Sequence, residues 1–223
     1  MFKRILTTAA ITTTVVFLSV SASSAAVFDF QRMADDNTYT PYHGEKGFST
    51  LGVTIGGINL KATGSATNDD DNQQYAYLDK GRAGLGVCKD LTGGLQCAPS
   101  SDDNVTYGET LSLVFDTKVV IDSITFRDSG HNIWEANDNG FFSLQIDDNG
   151  FNATPFAPFP AMLMGTEFDF KYLLAKGSDW QFYIDSITVS AVPLPPALLL
   201  FGAALGGIGF LGRRRKEKAA SIA

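Results

Sequence analysis

The side chains that could perform acid–base or nucleophilic chemistry are few, and they form no known catalytic motif. The 223-residue chain contains two histidines, His43 and His131, and neither lies in a paired metal-ligand spacing such as H-E-x-x-H. Asp128, Ser129 and His131 are close in sequence, but a catalytic triad must converge in space and no G-x-S-x-G turn is present. We therefore predict a protein without catalytic activity. A small polysaccharide-active hydrolase stays open, because a glycosidase needs only two carboxyls about 5–9 Å apart.

Two binding chemistries are suggested by residue type. Turns rich in Asp and Asn recur, and their oxygens suit Ca²⁺, although none has the twelve-residue spacing of an EF-hand. The candidate calcium ligands are Asp138, Asp147 and Asp148, and no cofactor is otherwise required. Aromatic rings beside loops could stack on sugars, and the candidate platform comprises Trp134, Trp180 and Tyr107. The acidic segments could equally be hairpin turns, and the tryptophans could belong to the core.

The two cysteines, Cys88 and Cys97, flank a segment that contains a Gly-Gly pair. In an exported protein such a pair is typical of a disulfide, which we predict here. Closing a loop of this length stabilises a fold by about 2–3 kcal/mol in the chain-entropy model. A reactive thiol would need C-x-x-C spacing or a histidine partner, and the sequence shows neither.

The segment that must position these residues, 27–191, has the pattern of β-structure throughout. Leu111, Leu113 and Phe115 alternate with polar residues, which places them on one face of a strand. No helical periodicity reaches twelve residues within it. The clearest strands are predicted at 110–115, 118–127, 141–146 and 181–190, and weaker ones at 50–55, 59–63, 75–78 and 85–87. Many short strands at this spacing predict an all-β, two-sheet antiparallel sandwich of jelly-roll type.

An internal repeat refines this prediction. Ile-Asp-Ser-Ile-Thr occurs at 121–125 and again at 184–188, and in each copy the apolar phase shifts across Asp-Ser. Such a phase shift indicates a β-bulge in a strand that faces one core. The strands around the repeats, 114–126 and 182–189, resemble those of galactose-binding-like jelly rolls and carbohydrate-binding modules. The resemblance implies a fold of that type and a carbohydrate ligand.

The N-terminus has the three parts of a secretory signal peptide. A basic start at 1–4 precedes an uncharged stretch at 5–20, and small residues follow at 21–26. We expect cleavage after Ala26 or Ala25, which makes 1–26 the leader and 27–191 the exported domain.

The C-terminus reads as a membrane segment. The 22 residues from 191 to 212 carry no charged or hydrogen-bonding side chain, and a helix over 196–212 is predicted to span the membrane. A basic stop at 213–218 would hold this end on the cytoplasmic side. Its first four residues are Arg213, Arg214, Arg215 and Lys216. The motif before the helix, 192–196, begins with Val192, Pro193, Leu194 and Pro195.

This arrangement of motif, apolar helix and arginine cluster over 192–218 resembles the tail of PEP-CTERM proteins of Gram-negative bacteria. The resemblance implies that an exosortase-type membrane enzyme is a partner and removes the tail. The precursor would be anchored in the inner membrane, and the product would reach the envelope surface or the medium. The sequence departs from the family at Leu194, where the name motif has glutamate. That departure leaves two alternatives, a different subtype of sorting enzyme or a plain membrane anchor without cleavage.

Charge narrows the choice of partner. The chain has 17 basic and 24 acidic side chains, of which seven basic ones and one acidic one lie in the terminal segments. The exported domain therefore has 10 basic and 23 acidic side chains, which gives it a net charge of about −13. Nucleic acid repels such a surface, whereas neutral glycans, divalent cations or basic partners suit it. We expect an exported, non-catalytic envelope or matrix protein that binds exopolysaccharide. The alternatives are the small secreted hydrolase and a purely structural surface protein.

Overall fold

The computed structural model describes residues 25–67, 73–136, 138–160, 162–172 and 180–192. These residues form eleven strands and one short helix, α1, at Phe30–Asp35. The strands are β1 Ala25–Asp29, β2 Lys46–Phe48, β3 Leu51–Ile55, β4 Ile58–Ala66, β5 Gln73–Asp79, β6 Gly84–Cys88, β7 Glu109–Asp128, β8 Phe141–Ile146, β9 Asn152–Pro155, β10 Leu163–Tyr172 and β11 Phe182–Ala191. The prediction of an all-β domain is confirmed.

All strand pairs are antiparallel, and nine strands follow the order β1-β11-β6-β5-β4-β7-β10-β8-β9. The other two lie off this path, where β2 pairs with β5 and β3 pairs with β4. A further pairing between β11 and β7 closes five of them, β11-β6-β5-β4-β7, into a small barrel. The long strand β7 makes this closure possible. Its first half pairs with β4 and β10, and its second half pairs with β11. Strands β10, β8 and β9 therefore extend from the barrel as a continuation of the same sheet.

The predicted bulges are confirmed, and the two repeats pair with each other. Along the β7–β11 ladder, Ile184 pairs with Phe126 and Ser186 with Thr125, so Asp185 is the extra residue in β11. Thr188 pairs with Ser123 and Val189 with Ile121, which leaves residue 122 as the extra residue in β7. A bulge in each partner increases the local bend and twist, and this curvature helps β7 to serve both the barrel and its extension.

The core fills the barrel and continues beneath β10 and β8. Alternate residues of β7 face inward, and Leu111, Leu113 and Phe115 are buried as the pattern predicts. Phe126 is the centre of an aromatic cluster, with ring centroids 4.8 Å from Phe142 and 5.7 Å from Phe182.

The short helix closes one end of the barrel. It packs against β5, β6 and β11 and buries Phe30, Met33 and Ala34. Its carboxylate at Asp35 accepts hydrogen bonds from the N–H groups of Gly81 and Arg82 in the β5–β6 turn. The helix does not cover the opposite end of the barrel, where β4 ends and β5 and β7 begin.

The predicted terminal segments lie almost entirely outside the described residues. Within the described ranges, no helix is long and apolar enough to cross a membrane; the proposed span at 196–212 and the basic stop lie outside those ranges. At the other end, β1 begins at Ala25 and pairs with the end of β11. Ala26 is buried, with 1% of its surface exposed, so the predicted leader boundary falls inside β1.

Candidate functional site

A small polar recess lies at the barrel end opposite α1, with a volume of about 180 Å³. The end of β4, the start of β5 and the start of β7 form its walls, together with the loop that precedes β7. We call it the Tyr107 recess, and its polar lining consists of Gln74, Lys89, Asp102, Thr106, Tyr107 and Glu109. Neither Gln74 nor Glu109 was predicted as a site residue.

Strand register places Gln74 and Glu109 on either side of β4. Gln74 pairs with Gly64, and Glu109 pairs with Ala66 two residues further along the same strand. Both side chains occupy core-facing positions. Glu109 is in phase with Leu111 along β7, and Gln74 is in phase with Ala76 along β5. Alternation along a strand therefore points an amide and a carboxyl toward the barrel interior at the point where its apolar filling ends.

The Glu109 carboxyl is held neutral by its surroundings. Only 3% of the residue is exposed, and its Oε2 accepts a 2.9 Å hydrogen bond from the Thr106 N–H. Burial raises the pKa of Glu109 to about 8, against the opposing effect of that hydrogen bond, and the charge of Asp102 adds to the rise. At neutral pH the group is mainly a carboxylic acid, so its carboxyl can both donate and accept hydrogen bonds.

Asp102 and Lys89 form the other wall of the recess. Burial raises the pKa of Asp102, while the Lys89 N–H and the Lys89 ammonium both oppose the rise. The Lys89 N–H donates to Asp102 Oδ2 over 3.4 Å. Because the lysine charge is compensated by this carboxyl, it does not make the recess a strong anion site.

Gln74 supplies a polar atom that the described residues leave without a hydrogen bond. The residue is 3% exposed, and its Oε1 is buried without a hydrogen-bond partner among the described residues. A buried carbonyl in this condition costs about 1–3 kcal/mol. The described chain has three other buried side-chain atoms of this kind, on His43, Asn104 and Trp134, and none of them lines this recess.

Tyr107 provides an exposed aromatic ring beside these polar groups. It is 63% exposed and packs edge-to-face on Tyr172, with ring centroids 6.3 Å apart. The other two residues of the predicted platform have a different environment. Trp134 stacks on Phe156 at 4.6 Å, Trp180 packs on Phe141 at 5.8 Å, and both are partly buried against the main core. This arrangement favours the structural interpretation of the tryptophans and leaves Tyr107 as the open ring.

The three candidate calcium ligands do not form one site. Asp138 precedes β8 and Asp147 and Asp148 follow it, so a strand of six residues, roughly 20 Å long, separates them. Asp138 Oδ2 accepts the Glu135 N–H, and Asp147 Oδ1 accepts the Thr166 N–H at 2.8 Å. Among the described residues, no group of three or more His, Cys, Asp or Glu side chains is arranged to hold a metal. Hairpin geometry distributes the three carboxyls along β8, so they do not converge on one ion in the described structure.

His131 belongs to a second polar cluster rather than to a triad with Asp128. Its Nδ1 lies 2.9 Å from the Gly81 carbonyl oxygen, and its Nε2 lies 3.4 Å from Asp79 Oδ2. Asp128 Oδ1 instead accepts the Gly130 N–H within its own turn. Burial raises the pKa of Asp79 to about 7, with a further contribution from Asp103 and an opposing one from His131. The cluster ties the β5–β6 turn to the loop after β7.

The predicted disulfide between Cys88 and Cys97 is present. Cys88 ends β6 and is immediately followed by Lys89, which lines the Tyr107 recess. The Cys97 N–H donates to the Tyr77 hydroxyl over 3.3 Å, so the far side of the loop is also attached to β5. The covalent link therefore fixes the loop next to the recess.

A larger recess of about 280 Å³ lies between β8 and β10 and is lined mainly by apolar side chains, including Leu144, Ile146, Leu163 and Met164. None of the unsatisfied buried atoms of the described chain lines it. The larger volume favours this recess as a ligand site, whereas the buried polar groups favour the Tyr107 recess. We give chemistry more weight, because recognition depends on placed polar groups.

No protein-family model matches the chain, and no curated protein or solved structure is significantly similar to it. The fold and the site define an all-β protein with a polar recess beside an exposed tyrosine.

Proposed function

We propose that the protein is an exported, non-catalytic surface or matrix protein that binds polysaccharide at the Tyr107 recess. One observation carries the proposal: an exposed aromatic ring stands beside a recess whose buried Gln74 carbonyl has no hydrogen-bond partner among the described residues. Sugars present apolar C–H faces and hydroxyl edges, so a ring and a set of polar groups side by side match both parts of a sugar. The recess volume of about 180 Å³ is suited to a single sugar residue of a longer chain.

The terminal segments support export and sorting. We infer that the leader at 1–26 directs secretion, and that the segment at 192–218 is a PEP-CTERM-type signal for an exosortase. The precursor would then be held in the inner membrane until the tail is removed. The last described strand, β11, ends at Ala191, and the Val192 N–H donates to the Lys118 carbonyl. Cleavage beyond Val192 would leave every described strand intact.

We also propose that the domain is related to the galactose-binding-like jelly rolls. The bulged pairing of the two Ile-Asp-Ser-Ile-Thr repeats supports this relationship, since long bent strands are what such folds need. The long strand β7, shared by the barrel and its extension, supports it as well.

The test is retention of the purified protein on exopolysaccharide from the cell that makes it. Tyr107→Ala should weaken binding at least about fivefold, because an aromatic contact of this type contributes roughly 1 kcal/mol beyond its buried area. Phe151→Ala is the matched control. Phe151 is 45% exposed in the β8–β9 connection, where the Lys171 ammonium lies over its ring. It does not line the Tyr107 recess, so this change should leave retention unaltered. The proposal would be contradicted if the wild-type protein did not bind, or if Tyr107→Ala and Phe151→Ala bound equally well.

The alternative of a polysaccharide hydrolase rests on a specific feature of the same recess. Glu109, neutral at pH 7, and Asp102 both line it, and a glycosidase pairs a protonated acid with a second carboxyl. Release of reducing ends from the polymer, abolished by Glu109→Gln, would establish this activity and refute the non-catalytic proposal. Binding without such release would support the proposal.

A further inference from the structure

The two buried polar side chains that line the Tyr107 recess, Gln74 and Glu109, present a particular pattern of donors and acceptors. Gln74 Oε1 is a buried acceptor that no described residue hydrogen-bonds. Glu109 uses Oε2 to accept the Thr106 N–H, and its carboxyl is a neutral acid at physiological pH. The interior of the recess therefore offers an acceptor and a donor, neither of them charged.

We infer that the Tyr107 recess selects an uncharged sugar residue over a uronic acid, through a hydroxyl or acetamido N–H that donates to Gln74 Oε1. This inference rests on the proposed function and specifies its ligand class. The sugar group satisfies the only polar atom of the recess that the described chain leaves buried and unpaired. Satisfying a buried acceptor gives a large difference between ligands that carry the matching donor and ligands that lack it.

Charge around the recess disfavours an acidic sugar. The Asp102 carboxyl lines the same 180 Å³, and the exported domain as a whole carries about −13. Lys89 lies beside Asp102, which compensates its charge. A uronate would bring a further carboxylate into this space, where it would be desolvated without an available cation. It would also favour the neutral form of Glu109 still more strongly.

The same arrangement makes binding sensitive to alkaline pH. Ionisation of Glu109 converts its donor into a second acceptor, and the interior of the recess then presents only acceptors to the sugar. Affinity for an uncharged sugar should therefore fall once Glu109 ionises. Glu109→Gln carries an amide with both a donor and an acceptor at every pH, so its binding should lack this fall.

The experiment measures binding of four methyl glycosides to the purified full-length protein by saturation-transfer difference NMR. The probes are methyl β-glucoside, methyl β-galactoside, methyl N-acetyl-β-glucosaminide and methyl β-glucuronide. At about pH 6.5, at least one neutral probe should bind about tenfold more tightly than the glucuronide. At about pH 9.5, the wild type should lose about tenfold in affinity for that probe, whereas Glu109→Gln should not.

Gln74→Met tests the recognition residue, and Gln145→Met, a partly exposed position in β8, is the matched control. Gln74→Met should lower affinity for the neutral probe about tenfold or more while leaving the melting temperature unchanged or higher, because it removes an unsatisfied carbonyl. If Gln74 had only a structural role, the substitution would instead lower the melting temperature and leave the affinity unchanged.

The outcomes separate the two levels of the hypothesis. Glucuronide binding as tight as that of the neutral probes, or Gln74→Met with wild-type affinity, would overturn the inference. If Tyr107-dependent retention on polysaccharide persisted in either case, the proposed function would stand. Absence of binding to every probe and to the polysaccharide would refute both.

Discussion

Replacing Glu109 by Gln should stabilise the protein, and the gain should increase with pH. In the folded protein the pKa of Glu109 is about 8, compared with an ordinary value of 4.5. The folded state therefore keeps a proton that the unfolded chain releases. The stability contributed by this proton is fully present below pH 4.5, decreases as pH rises, and is lost once pH passes 8. The glutamine side chain does not titrate and can still accept the Thr106 N–H.

The magnitude follows from the difference between the two pKa values. Each pKa unit corresponds to 1.36 kcal/mol, so the change from 4.5 to about 8 gives roughly 5 kcal/mol between acid and alkaline limits. Most of this loss has occurred by neutral pH, because ionisation of the unfolded chain is complete well below pH 7. At about pH 4 the Glu109 proton therefore contributes no difference in unfolding free energy between the two proteins. Near pH 9 the unfolding free energy of the variant should exceed that of the wild type by several kcal/mol.

Urea unfolding of both proteins at a series of pH values, followed by tryptophan fluorescence, measures this difference directly. The disulfide stays intact because no reductant is added. Glu135→Gln, a change at an exposed carboxyl, controls for the loss of one negative charge. The difference in unfolding free energy between wild type and Glu109→Gln should widen between about pH 4.5 and 8. If the two stability curves instead run parallel across this interval, Glu109 is not held neutral in the fold.

Two further predictions concern the rest of the framework. Arg127 and Asp185, 13% and 14% exposed in their side chains, form a 2.5 Å ion pair at the β11 bulge. Arg127→Met should lower the unfolding free energy by about 3–5 kcal/mol by leaving the carboxylate unpaired, and restored stability in a double variant with Asp185→Leu would confirm the cause. Replacing Cys88 and Cys97 together by Ser should cost about 2–3 kcal/mol in chemical denaturation, and an unchanged midpoint would show that the loop is ordered without its link.

Local patterns in the sequence predict the parts of the fold that depend on neighbouring residues. The alternation at 110–115 gives the first half of β7, and the phase shifts at the two repeats give both bulges. The strand β10, at Leu163–Tyr172, was not predicted. Its buried residues are Gly165, Phe168 and Phe170, and an irregularity between Gly165 and Glu167 interrupts the alternation that would have revealed it.

Long-range pairing explains what the sequence could not predict. The β11–β7 ladder joins residues about sixty positions apart and closes the barrel, and no local pattern encodes that closure. The same is true of the tryptophans. Trp134 follows β7 in a loop and has the sequence context of an exposed residue, yet Phe156, from beyond β9, stacks on it. Tyr107 alone of the predicted platform kept an open ring, because its ring contact, Tyr172, lies at the very end of β10.

Part of the recess can be predicted from the alternation of residues along β7. Glu109 shares the odd-numbered phase of Leu111, Leu113 and Phe115, so a strand prediction that places these three in the core also places a carboxyl there. An apolar side chain at that position, or at Gln74, would avoid the desolvation of a carboxyl and of an unpaired carbonyl. A fold that keeps both polar groups at one barrel end gives up stability at that point. Such local departures from apolar patterning are expected at functional sites, and this is the physical ground on which the proposed ligand site at the Tyr107 recess rests.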